Sequence, residues 1–316
     1  MNSREKAKQW PFPRHKQFSK ILREAAAAWF KEKQISKTHP RKPFCLAEWN
    51  DWRKNVILPE VVMYIEEQSM YAREKNKPFP LHKYLHHGMS SQAMVFNLIG
   101  PLITRGDYTP LSDVLKSKNV SGADDIAEAV FEYEDRNVFN EDTGQPTSID
   151  IVLKNANGYP RIFIESKFEE KEFGGCSVFR DGDCSGMNPI GLENDCFLHF
   201  IGRTYWEKMA KHGITKSVRT DRQCLFIAHY QFFREVLFAI EKGGTFVLLS
   251  DERSPVFQFQ AEGKMKGLMP FLSSFLPVQL QDKVVSISTQ EIVDAIERYN
   301  KHHDWVFEFN KKYGMF

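Results

Sequence analysis

Two apolar runs of strand length are each interrupted by charge, and few folds can accommodate that. Ile162-Phe163-Ile164-Glu165-Ser166-Lys167 alternates so that Glu165 and Lys167 share one face of a strand. In the preceding run, residues 147–153, Ile149 and Ile151 point one way and Asp150 the other, flanked by Ser148 and Val152. Turn-forming Asn155-Ala156-Asn157-Gly158 lies between the runs, which suggests antiparallel neighbours and a hairpin that sets Asp150 beside Glu165. Two carboxylates held together repel, and burying them is costly unless a divalent cation or a proton neutralises them. Hard oxygen donors favour Mg²⁺ or Mn²⁺, and few protein ligands leave positions open for water and phosphate oxygens. Lys167 would then stand next to the ion, where an ammonium positions an attacking water or offsets charge on a phosphorane-like transition state.

The remainder of the chain supplies what such a hairpin needs for burial. Helical spacing is expected over 18–34, over 47–74 with Pro59 as a kink or break, over 93–102 behind the capping Ser90-Ser91-Gln92, and near 111–116. A third strand is expected at 129–134, ahead of the two charged ones. After them come helical patterns at 192–212 and 223–241, a strand at 245–249, a helix around 264–276, a strand at 284–287 and a helix from 289 to 299. Three regions follow: a basic helical extension over 1–80, a core over 81–255, and an α/β extension over 256–316 packed on that core.

With these residues in place the chain resembles the PD-(D/E)xK nuclease superfamily, through Thr147-Ser148-Ile149-Asp150, a short turn, and Ile162 to Lys167. It looks closest to a prokaryotic restriction-endonuclease-like branch through three further features. These are the helix opening at Ser90-Ser91-Gln92 and running through Asn97 to Pro101-Leu102, the stretch Phe131-Glu132-Tyr133-Glu134, and Tyr230-Gln231-Phe232-Phe233-Arg234, which is similar to the Gln-bearing helix of RecB-type nucleases. The resemblance covers roughly residues 81–251. It implies an α/β fold with a central mixed sheet flanked by helices, Asp150 and Glu165 as metal ligands, and Lys167 as catalytic lysine. Glu132 or Glu134 would add an acidic group, and Gln231 would steady the site or touch phosphate. Arg234 would contact DNA, and Gln92, standing where a helix-borne catalytic Glu is missing, joins it on the nucleic-acid side. Ile149 replaces the Pro of the pattern.

The expected activity is therefore divalent-metal-dependent hydrolysis of a phosphodiester, in DNA, with Mg²⁺ or Mn²⁺ as cofactor. The sequence does not separate DNA from RNA. The competing reading is a non-catalytic nucleic-acid-binding or assembly protein on the same fold. A homodimer would supply the two sites that cutting both strands uses.

The charge distribution is uneven: a basic arm of this kind attracts phosphate backbones, and a solvated basic helix face explains the charge alone equally well. Residues 1–43 hold twelve Lys or Arg against three Glu, a net +9 that leaves −7 on the rest of the chain. No apolar run approaches a membrane span and the first residues carry no signal-peptide pattern, so the cytoplasm is the expected compartment. Five cysteines are too few for a disulfide scaffold in 316 residues. Cys176, Cys184, Cys196 and Cys224 could enclose zinc or an iron–sulfur cluster, but no pair has C-x-x-C spacing. The favoured reading places Cys196 and Cys224 in the core on helices, and Cys176 and Cys184 in a Gly-rich loop over 173–187. His82, His86 and His87 are expected as exposed or capping groups rather than ligands.

Overall fold

The computed structural model describes every residue except Met1, Pro11, Ser36, Pro78 and Asp221, together with all side chains other than theirs and those of Arg4, Ala7 and Lys8. Two cations of the basic arm, Arg4 and Lys8, thus have side chains outside the described part.

A five-stranded mixed sheet organises the molecule. Its strands are β1 (Glu128–Glu134), β2 (Ser148–Lys154), β3 (Pro160–Lys167), β4 (Thr245–Ser250) and β5 (Val284–Ser288), in spatial order β1-β2-β3-β4-β5. The first three are antiparallel, β2 and β3 through a short turn and β1 and β2 through residues 135–147, and β3, β4 and β5 run parallel through long crossovers. The tight β2–β3 turn is built by Asn155, whose Oδ1 accepts from the N–H groups of Asn157 and Tyr159, and by Gly158 at φ +77°.

Among the described residues seven helices of nine residues or more pack around the sheet: α1 (His15–Glu32), α2 (Pro59–Glu74), α3 (Ser91–Arg105), α4 (Thr109–Ser117), α5 (Phe226–Glu241), α6 (Thr289–Glu297) and α7 (His303–Tyr313). Strand alternation splits the apolar side chains between two cores. Phe131, Ile151, Ile164, Val247 and Ile287 face the first core, which also takes in Phe18 of α1, Ile99 of α3 and Tyr313 of α7. Val152, Phe163, Phe246 and Leu248 face the second, against Phe232 and Phe233 of α5. One core therefore spans all three stretches drawn at residues 80 and 255, and β5, from the last stretch, completes the central sheet.

Several local expectations give way to backbone chemistry. Of the kink or break expected at Pro59 the structure shows the break: α2 begins there, where a missing N–H costs nothing, and residues 49–55 form a separate 3₁₀ turn rather than more helix. The helix expected over 192–212 is three short pieces, interrupted where Cys196 is extended (φ −128°, ψ 106°) and where Gly202 takes φ +86°. The start of the helix expected over 264–276 is instead the second strand of a small hairpin, Phe259–Ala261 with Lys264–Lys266, turned by Glu262 and Gly263 at φ +55° and +72°. The helix follows at Leu268–Ser273. Finally, Ile149 and Ile151 do not share a core: Ile149 packs in the second, Ile151 in the first. The change of side falls at Asp150, level with Glu132, which holds φ +54° in the middle of β1.

Candidate active site

Strand register brings three carboxylates into one row. β1 and β2 pair Phe131 with Ile151 and Tyr133 with Ile149, so Glu132 stands level with Asp150. β2 and β3 pair Ile151 with Ile164, and one step further sets Asp150 level with Glu165. The Asp150 side chain reaches β3 directly, where its Oδ2 accepts from the Ser166 N–H at 2.9 Å. Glu132 reaches the row from a left-handed backbone that a non-glycine residue adopts at a cost, and such strain concentrates at functional sites.

Two helices fix the row from above. From α3, the Gln92 amide donates to Glu132 Oε1 (2.7 Å) and to the Pro80 carbonyl (2.9 Å), while its oxygen accepts from the His82 N–H (2.8 Å). Ser148 adds a weaker bond to Glu132 Oε2 at 3.3 Å. From α5, Gln231 sits between opposite charges. Its Oε1 accepts from Lys167 Nζ (3.1 Å) and the Gly174 N–H (3.0 Å), and its Nε2 donates to Glu165 Oε1 and Glu235 Oε1, both at 2.8 Å. Lys167 Nζ also donates to Glu165 Oε1 at 2.7 Å. Glu165, Lys167 and Glu235 are 3%, 7% and 0% exposed.

The electrostatics are those of an acidic cluster short of positive charge. Burial, with the charges of Glu165 and Glu132 added, holds the Asp150 carboxyl well above the ordinary carboxylate range. Burial pushes Glu132 up to about 7, against the hydrogen bond from Gln92 and with help from Glu165. Glu235 is also held well above its usual value, first by burial and then by Glu165. Burial opposes charge on Lys167, but Glu165, Glu235, Glu170 and Asp150 outweigh it, and the lysine is held in its protonated form. Glu165 Oε2 and Glu235 Oε2 are buried without a hydrogen-bond partner. An orphaned carboxylate oxygen beside Asp150 is what a hard cation would satisfy, so the donor set fits Mg²⁺ or Mn²⁺. Among the described residues no three His, Cys, Asp or Glu are close enough to hold one ion. The fit is therefore to a cation bound by one or two carboxylates that keeps several waters, as Mg²⁺ does.

The row lines a cleft of about 340 Å³ with a hollow adjoining it at either of two groups of shared residues. One neighbouring hollow, of about 550 Å³, shares His82, Ser91 and Glu170 with it and is walled by Arg23 and Lys42 of the basic arm. The other shares Gln231 and Arg234. Arg234 lies 4.9 Å over the Tyr230 ring, and its Nε has no partner.

A family model described as Restriction Endonuclease associating with ARP matches residues 23–314. The chain belongs to this family. No curated protein and no solved structure matches it. The match runs across nearly the whole chain, beyond the 81–251 stretch that the motifs mark, and the mixed sheet flanked by helices agrees with a restriction-endonuclease-like fold. Membership in this restriction-endonuclease-like family links the chain to nuclease-like function and to nucleic acid. No helix among the described residues is long and apolar enough to cross a membrane.

The structure gathers Asp150, Glu165, Lys167, Glu132, Gln231 and Arg234 in the lining of one cleft. Glu134, the alternative to Glu132, pairs level with Ser148 two positions along the strand and does not line the cleft. Gln92 has both donors and its oxygen engaged inside the protein. Glu235 escaped sequence reasoning because it follows Arg234 in an otherwise apolar helix and reads as half of an adjacent charge pair; its place four residues after Gln231, on the same helix face, was the available signal.

Proposed function

We propose that the chain is a divalent-metal-dependent nuclease of the PD-(D/E)xK type, hydrolysing phosphodiester bonds in DNA. One observation carries this: Asp150 and Glu165 are level neighbours in a cleft where Glu165 Oε2 has no partner, while Lys167 is held protonated beside them. Asp150 and Glu165 would hold Mg²⁺, which supplies Lewis acidity toward a phosphate oxygen and a more acidic water. Lys167 carries its proton, so its part is electrostatic: it orients the attacking water and offsets charge on the phosphorus oxygens. Gln231 keeps that ammonium and the Glu165 carboxylate in register. Glu132, near neutral pH partly protonated, is placed to exchange a proton with the reacting groups, and Gln92 positions it. Arg234 on one side of the cleft, and Arg23 and Lys42 on the other, favour a phosphate backbone running through it.

The test is cleavage of supercoiled, linear and single-stranded DNA, and of RNA, with Mg²⁺, Mn²⁺ or chelator. Cutting of DNA by the wild type with metal, abolished by chelator and in Asp150→Ala, is the expected result. Equal activity in Asp150→Ala would exclude the assignment, and binding without cutting would favour the non-catalytic alternative.

A further inference from the structure

The two hollows beside the catalytic cleft offer a nucleic-acid strand different things. The one walled by Arg23 and Lys42 supplies cations, and its aromatic rings are already covered: Tyr84 stacks on His87 at 4.9 Å, and Arg23 lies 5.6 Å over Phe44. The other, of about 500 Å³, is lined by Phe197 and Leu198 of the short helix Phe197–Phe200, by Ile201, and by Tyr230 of α5. Phe197 is 50% exposed and Ile201 37%, so apolar surface faces solvent beside a cleft of buried carboxylates. Exposed apolar surface rimmed by polar groups marks a binding site.

The charged groups of this second hollow are largely engaged within the protein. Arg203 donates to the Asn140 carbonyl, to Asp142 Oδ1 (2.6 Å), and to the carbonyl and Oγ1 of Thr143 (2.6 and 3.0 Å). Glu141 is 1% exposed and accepts from the Thr147 N–H and hydroxyl and from the Tyr205 hydroxyl (2.6 Å). Arg234 is different: it belongs to the linings of both hollow and cleft, and its Nε has no partner. One such cation beside an apolar wall does not make a track for consecutive phosphates. It suits one phosphate followed by one base, because a base has a π-face for an aromatic ring and no charge to balance. Gln145, also common to both linings and exposed, adds an amide able to meet the edge of a base.

The hollow adjoins the reacting groups through Gln231. That residue bonds Lys167 and Glu165, and it also exchanges two hydrogen bonds with Gly174 in the wall of the hollow. The wall sits close on α5, since a Cβ at Gly175 would lie 2.2 Å from the Ile227 carbonyl oxygen.

We propose that this hollow is a base-binding subsite: it takes one unpaired nucleobase of the DNA strand next to the phosphate at the carboxylate row, with Phe197 stacking on the base and Arg234 holding the phosphate. The position of that phosphate rests on the nuclease reading above. A base inside a duplex is paired and stacked and cannot enter a hollow off the cleft. The substrate class is therefore DNA with an unpaired nucleotide at the cut: a single strand, a frayed end, or a base turned out of the stack.

The test reads binding in chelator, so that it does not depend on cutting. Oligothymidylate and a base-free deoxyribose-phosphate strand of the same length carry the same charge. Their affinities are compared by fluorescence anisotropy for the wild type, Phe197→Ala, Phe197→Tyr and Phe200→Ala, each with its melting temperature. Phe200 is 73% exposed and lies outside the lining. The wild type, Phe197→Tyr and Phe200→Ala are expected to hold the strand with bases about 10-fold tighter, and Phe197→Ala to hold both strands alike. Equal affinity of the wild type for the two strands, or a preference that survives in Phe197→Ala, overturns the subsite. With Mg²⁺, faster cutting is expected beside an unpaired nucleotide than in the same sequence fully paired, a difference lost in Phe197→Ala. Cutting without any base preference removes the subsite and leaves the nuclease. A base preference that depends on Phe197, with no cutting of any substrate, supports the subsite and removes the nuclease.

Discussion

Lys167 and Lys312 are both shut off from solvent, one in the acidic cleft and the other between the terminal helices, and their surroundings act on them in opposite senses. Around Lys167 stand Glu165, Glu235, Glu170 and Asp150, and the ammonium is favoured despite its burial. Lys312 meets a backbone carbonyl, that of Asn55, and the rings of Trp29 and Tyr313 at 4.7 and 5.4 Å; burial there drives its pKa well below the lysine range. Burial alone therefore says little about a charge. The partners decide, and only at Lys167 are the partners carboxylates with an oxygen left over.

Substituting each lysine by Met separates the two regions most sharply. Lys167→Met is expected to lower the cleavage rate by about 10²- to 10³-fold, because charge stabilisation at the phosphorus is lost. Lys312→Met keeps the volume and removes a buried amine, so cleavage is unchanged and stability rises by about 1 kcal/mol in chemical denaturation. A comparable rate loss in both variants would mean that Lys167 matters only to folding.

A smaller effect is expected from Gln231→Ala, which leaves the carboxylates in place but frees their geometry. Activity or metal affinity should fall about 10- to 100-fold. A variant indistinguishable from wild type in both would show that Gln231 positions nothing.

Asp150, Glu165 and Lys167 were legible in the sequence because a period of two is rigid. A charge inside an apolar strand run has one face to go to, and the turn at Asn155 to Gly158 fixes which strand it meets. The strand runs followed from the same pattern, but the sequence set the run at 284–287 in a separate extension, whereas it completes the central sheet as β5. What escaped was set by backbone states that carry no residue signature. Glu132 turns left-handed without being glycine, and that reverses the side on which Tyr133 and Ile149 pack. Residues 192–212 have helical composition, but packing of Cys196 and the turn at Gly202 divide them. Glu235 was hidden because the acid it meets, Glu165, is seventy residues away in sequence.

The smallest effect concerns pH. Asp150 and Glu132 have folded pKa values raised above the ordinary carboxylate range, so the fold favours their protonated forms. The penalty for ionising them is absent at low pH, grows as pH rises, and for Glu132 is full once pH passes about 7. A bound divalent ion relieves it. Thermal stabilisation by Mg²⁺ should therefore be greater above pH 7 than below, by roughly 2–4 °C. Stabilisation that is equal or stronger in acid would place the ion somewhere other than on these carboxylates.

Whether Asp150 and Glu165 share a divalent ion is answered most directly by titrating Mn²⁺ into the chain and following free Mn²⁺ by electron paramagnetic resonance, for the wild type, Asp150→Asn and Glu165→Gln. The prediction is saturable Mn²⁺ binding in the wild type, displaced by Mg²⁺, and weakened in each variant while the fold melts cooperatively. Binding of equal strength in all three proteins would contradict it.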